Sequence, residues 1–193
     1  AQQSEPTLLL IQGPTGIGKT RLVEELLVPM ASKGACIARG RFEQAGSMPY
    51  AGMLDALGEA LRSLLIRPEE ELTRLRRQLA RSLGSGLGIL GGFLPELSLV
   101  VSPGSDSSPA APTQVEHPLH FLFQTLLELL AEVHAPLVLL LDDLQRADRA
   151  HADLLSALAR TPSRLPLLTL PAPRSHADAE RSLAPLRPPP PSA

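Results

Sequence analysis

The apolar residues of this chain fall either in short unbroken runs or in longer stretches where they return every third or fourth position. The first pattern reads as buried strand and the second as a helix with one face turned inward. Thr7 to Gln12 is such a run, ending at a glycine, and Lys19 to Met30 follows it with helical spacing. "ACIARGRF" (35–42) alternates as a second strand. Leu54, Leu57, Leu61, Leu64 and Leu65 predict a helix, and Pro68 begins another. That helix carries Glu69, Glu70 and Glu71 early and Arg76, Arg77 and Arg81 late, the order the helix dipole favours.

Glycine is frequent from Gly84 to Gly92, and Ser102 to Pro112 is rich in Ser, Pro and Ala, so flexible loops are expected within 84–116. A strongly apolar helix follows at 117–133, then the strand "LVLLL" (137–141), a helix near Arg149 to Arg160 and the strand "LPLLTL" (165–170). Strands that are apolar throughout and alternate with helices predict an α/β fold whose parallel sheet is covered on both faces. The expected organisation is a core over residues 1–174, with helices inserted after the second strand, and a tail over 175–193. Pro171 to Ala193 contains seven prolines and closes with "RPPPPSA", a composition that predicts disorder.

Composition narrows the function classes. A chain of 193 residues is sized for one domain. A net charge of -2 and a pI near 6.2 supply no bulk field for nucleic acid or an anionic membrane. The apolar runs are far shorter than a membrane span, and no leader pattern opens the chain. Cys36 is the lone cysteine, which excludes an internal disulfide or a cysteine zinc cluster and fits a reducing compartment. The expectation is a soluble, cytoplasmic protein, and the missing initiator methionine at Ala1 suggests a piece of something longer.

The chemistry concentrates in "GPTGIGKTRL", directly after the first strand. Gly13, Gly18, Lys19 and Thr20 match G-x-x-x-x-G-K-[ST] in full, between a strand and a helix. Glycines let backbone N–H groups wrap a phosphate, and the helix N-terminus adds positive potential. Gly13, Pro14, Thr15, Gly16, Ile17, Gly18, Lys19, Thr20 and Arg21 are therefore the expected nucleotide-binding residues, with Lys19 reaching the outer phosphates and the Thr20 hydroxyl on Mg2+. "LVLLLDDL" offers the second half of such a site. Asp142 is placed to hold Mg2+, and Asp143 to orient or deprotonate the attacking water. Paired carboxylates at a strand end also serve as simple caps, so the assignment leans on the phosphate loop upstream.

Other polar groups read more blandly. His117 and His120 with Glu116 make half a metal site, and no second pair appears, so a solvated helix entry is expected. Arg74, Arg76, Arg77 and Arg81 form a basic face opposite Leu72, Leu75 and Leu79, read as solvated, with a partner contact as the alternative. Arg39 and Arg41 approach the C-terminal end of the second strand, where ligands of open parallel sheets collect, and either is a candidate for nucleotide contact. Phe121 and Phe123 are expected in the core.

Taken together, "GPTGIGKTRLVEEL", "ARGRFEQAGSMPYAGMLDALGEALRSLL", "GGFLPEL", "APLVLLLDDLQRAD" and "RLPLLTLPAPR" resemble the AAA-type ATPase module of the STAND class, found in large LuxR-type and maltose-activator-type regulators. The similarity covers roughly residues 7 to 174. It implies a three-layer P-loop NTPase core that binds ATP with Mg2+ and passes its nucleotide state to regulatory or output domains, with nucleotide-dependent self-association. By resemblance Lys19, Asp143 and Arg174 are the catalytic residues, Arg174 standing where the family often places an arginine that senses the terminal phosphate. A solvated arginine is the competing reading there, since Pro171 and Pro173 disturb the strand end. The chain also has Arg146 where the family often has tryptophan, and it lacks the helix before the first strand and the lid after the fourth, so it resembles a truncated core. The resemblance therefore implies weak hydrolysis. The alternatives are a module that binds nucleotide without turnover and a P-loop kinase acting on a small molecule.

Overall fold

Among the described residues one sheet is formed, by β1 (Leu8–Leu10), β2 (Cys36–Arg41), β3 (Leu137–Asp142) and β4 (Leu167–Leu170) in the order β1-β4-β3-β2. Every adjacent pair is parallel, in agreement with the expectation from the apolar runs. The computed structural model describes residues 8–11, 16–42, 50–101, 119–134, 136–143, 146, 153–155 and 167–170, with 8–10 and 167–170 described by their backbone. The expected tail and the segment 102–116 lie outside the described residues.

Alternation along β3 explains how the sheet is buried. Leu137, Leu139 and Leu141 join the larger apolar cluster, while Val138 and Leu140 join a second one with Val23 and Leu27 of helix α1 (Lys19–Ser32). The same period puts Ala38 and Phe42 of the β2 segment in the larger cluster and Ile37 against the second. A strand buried on both sides has no polar face, which is why β3 reads as an unbroken run in the sequence. Asp142 and Arg41 continue the alternation onto the face that α1 covers.

The larger cluster is built by helices α2 (Ala51–Leu64), α3 (Glu69–Leu83), α4 (Gly86–Phe93), α5 (Pro95–Val100) and α6 (Leu119–His134). α2 is buried nearly all round, and its packing on β2 is close enough that a Cβ on Gly40 would stand 1.7 Å from the Gly52 carbonyl oxygen. α3 buries one stripe, Leu72, Leu75, Leu79 and Leu83, and leaves Arg74, Arg77 and Arg81 exposed. Arg76 instead turns inward, with Nε donating to the Val100 carbonyl oxygen at 2.7 Å. Phe123 is fully buried, its ring 5.1 Å from that of Tyr50, whereas Phe121 is exposed.

The glycine-rich stretch is largely helical. Residues 86–93 and 95–100 are helical because Leu90, Leu94, Leu97 and Val100 are buried in the core, and that burial outweighs the poor helix propensity of glycine.

The N-terminal end of the sheet carries a buried polar knot that the sequence did not signal. His134, the last residue of α6, is buried, with Nε2 3.2 Å from the Ala60 carbonyl oxygen and Nδ1 3.4 Å from an Arg67 guanidinium nitrogen. Because arginine only donates, Nδ1 accepts and the proton sits on Nε2. Burial, and then the Arg67 charge, lower the His134 pKa from its ordinary 6.5. The unfolded chain thus takes up the proton first as pH falls. Stability supplied by neutral His134 is full above pH 6.5 and is lost as pH drops through 6.5 toward the lower folded value. Urea unfolding between about pH 8 and pH 5 is expected to show a steeper acid loss in wild type than in His134→Gln; parallel slopes would remove His134 from the account.

Candidate nucleotide-binding site

The four described strands point their C-terminal ends to the same edge of the sheet, so the end of β1 and the acidic end of β3 lie on one side. β4 lies between β1 and β3, which sets the ends of those two strands about two strand spacings, or about 10 Å, apart. That gap is of the size a polyphosphate spans.

The start of α1 is unusual in its electrostatics. Gly18 occupies the N-cap position with φ 95, no side chain caps the helix, and its first turn holds no acid. Lys19 and Arg21 stand there instead, cations at the positive end of a helix dipole. Gly16 is likewise left-handed, with φ 85, and a Cβ added at either glycine would meet nothing within 4 Å. Backbone N–H groups without a side-chain cap, beside open space and a lysine, form a cradle suited to an anion. Arg21 is tied to Glu25 at 3.4 Å, while Ile17 and Thr20 are exposed at the same turn. Gly13, Pro14 and Thr15 lie outside the described residues, as does Arg174.

At the acidic end, Asp142 closes β3 opposite Arg41 in the register, and its Oδ1 accepts the Asp143 backbone N–H at 2.8 Å. Asp143 leaves the strand in the left-handed region, φ 59, a conformation that Asp tolerates better than most residues. Its carbonyl oxygen accepts the Arg146 N–H at 2.9 Å, which starts the next turn and leaves the Arg146 side chain exposed. The Asp143 carboxylate pairs with Arg41, whose Nε stands 3.1 Å from Oδ2. Arg39 and Arg41, expected from their alternation at the C-terminal end of the second strand, meet partners that spacing does not reveal. Arg39 pairs with Glu59 of α2, whose carboxylate also accepts the Arg39 backbone N–H and so blunts β2, an edge of the described sheet.

The donors are also of the type a hard cation takes. Thr20 and Asp142 offer hard oxygens, and among the described residues no three His, Cys, Asp or Glu side chains converge as a dedicated metal cage. A small number of hard oxygen donors, without a dedicated cage, is the donor type that suits Mg2+. No helix among the described residues is long and apolar enough to cross a membrane.

Comparison with known proteins adds to this geometry. The family described as AAA ATPase domain matches residues 1–170. The hybrid signal transduction histidine kinase G of Dictyostelium discoideum is 30% identical over 150 residues, which is 78% of this chain and 4% of that protein. The chain therefore resembles a small part of a much longer signalling protein. No solved structure matches it.

Proposed function

The chain belongs to the AAA ATPase domain family, and from that premise we propose that it is a regulatory ATP-binding module of the STAND type, a P-loop ATPase that turns ATP over slowly. The observation that carries this reading is the start of α1, uncapped, free of acid and carrying Lys19, beside two left-handed glycines. In this reading residues 13–21 hold the phosphates, Thr20 and Asp142 hold Mg2+, and Asp143 orients the attacking water. Arg174 senses the terminal phosphate. Magnesium, when bound, neutralises charge on the phosphates. The clusters on both faces of the sheet support a three-layer core.

The regulatory part of the proposal draws on the likeness to a signalling kinase. The nucleotide state of this module is passed, in a cytoplasmic setting, to flanking regulatory or output domains and to self-association. A module that holds ATP without turnover is the second reading, favoured by the engagement of Asp143 with Arg41.

Thermal unfolding with and without Mg-ATP, on wild type and Lys19→Ala, tests the proposal. Ligand at about a hundredfold its dissociation constant adds roughly 2.7 kcal/mol. In a domain of this size that is a rise of about 5 to 10 °C. The rise is expected in wild type and absent in Lys19→Ala. An equal shift in both proteins would separate nucleotide binding from the phosphate loop, and none in either would end the ATP-binding reading.

A further inference from the structure

We propose that the outer face of α3 is a docking surface for an acidic helix of a protein partner, held by Arg74, Arg77 and Arg81. The inference does not rest on the ATPase reading above.

The first observation is what these arginines lack. Arg21, Arg39, Arg41, Arg62, Arg67 and Arg76 each stand within ion-pair distance of a carboxylate. Among the described residues no carboxylate pairs with Arg74, Arg77 or Arg81, although Glu70 stands one turn before Arg74 on the same exposed face. Arg77 Nε reaches the Thr73 carbonyl oxygen of its own helix, at 3.3 Å. The chain has 20 acidic and 18 basic residues, so carboxylates are not scarce.

The second is the cost to the helix. Arg74 and Arg77 stand at i, i+3, and Arg77 and Arg81 at i, i+4, spacings at which like charges destabilise a helix. The helix dipole accounts for Arg81 in the last turn but not for Arg74 and Arg77, which stand mid-helix. α3 thus carries a row of charge at the expense of its own stability, which points to something the row holds.

The third is geometry, which selects the occupant. The three arginines lie opposite the buried Leu72, Leu75 and Leu79, in a straight row about 10 Å long. A helix with carboxylates at the same spacing presents a matching row, and each guanidinium can take a carboxylate through two bonds. Lipid fits poorly, because none of the exposed large apolar side chains lies on α3 to serve as an anchor. Nucleic acid fits poorly too: the chain has a net charge of -2, α3 has no aromatic residue on which a base could stack, and three arginines neutralise few phosphates.

The test measures, by anisotropy on the full chain, binding of a fluorescein-labelled helical peptide with glutamate at i, i+3 and i+7. An isomer of the same composition, its glutamates spread around the helix, is the comparison. Wild type is expected to bind the first peptide saturably and the isomer more weakly, and added salt loosens both. Arg77→Glu is expected to weaken binding about tenfold or more. Because it turns two repulsions along α3 into attractions, it also raises the melting temperature, by about 1 to 3 °C. Affinity and stability moving in opposite directions is a signature that a solvated or structural arginine does not give. Arg74→Gln combined with Arg81→Gln lowers affinity likewise, and Lys33→Glu, at an exposed cation beyond the end of α1, leaves it unchanged. The proposal is overturned by equal binding to wild type and Arg77→Glu, by equal binding of the two peptides, by absence of saturable binding, or by a fall in the melting temperature of Arg77→Glu. Duplex DNA or phosphatidylserine vesicles that bind more tightly than the peptide, and through Arg77, would overturn it in favour of those partners.

Discussion

Asp143→Asn is expected to lower Mg-ATP turnover by about 10²- to 10⁴-fold while nucleotide affinity stays within a few-fold of wild type. The amide keeps the size of the carboxylate and its ability to hydrogen-bond, but it loses the charge and the capacity to take a proton from water. Affinity persists because the proposed phosphate contacts come from the start of α1 and the loop before it, about two strand spacings away across β4. The substitution also removes the ion pair with Arg41. Steady-state phosphate release together with titration of a fluorescent ATP analogue checks both halves. Unchanged turnover would take Asp143 out of the chemistry and favour the module that binds without hydrolysing.

The second large effect is on stability. Gly40→Ala is expected to cost about 3 kcal/mol, at the upper end of what overpacked cores show. The added Cβ would lie 1.7 Å from the Gly52 carbonyl oxygen and 3.1 Å from Leu141 Cδ2. A flexible side chain could swing aside, but a backbone carbonyl in the first turn of α2 moves only with its helix. Either α2 slides or the end of β2 shifts, and with it Arg41. For a domain of this size the melting temperature falls by about 6 to 12 °C. Gly88→Ala in α4 is the control, since nothing lies within 4 Å of its added Cβ and alanine is the better helix former. A Gly40→Ala protein that melts with wild type would refute the tight α2–β2 contact.

Much of this architecture was legible in the sequence because it rests on local periodicity. The run 137–141 predicted β3, the leucines from 54 to 65 predicted α2, and "GPTGIGKT" announced the turn into α1 at Lys19. What was not legible depends on partners distant in the chain. Local glycine content argued against α4, and only burial of Leu90 shows why it forms. His134 reads as the end of an apolar helix, and its meeting with Ala60 and Arg67 needs the packing of α6 near α2. The order of the strands has no signature within any strand, so neither the insertion of β4 nor the reach of Arg41 to Asp143 follows from spacing. Of the expected site, Gly13, Pro14, Thr15 and Arg174 lie outside the described residues.

The place of β4 also fixes when the site comes into being. Among the described strands β1 has β4 as its neighbour, with Leu8, Leu9 and Leu10 opposite Leu167, Leu168 and Thr169. A ribosome that has delivered both motifs, through Asp143, has not yet delivered the strand that joins them. The nascent chain therefore carries every residue of the phosphate loop and both carboxylates without the spacing between them. Closure of that ladder joins segments more than 150 positions apart, a loop-closure entropy that local helix formation does not meet. On the proposed reading, ATP capture is therefore expected only after the β1–β4 ladder has closed.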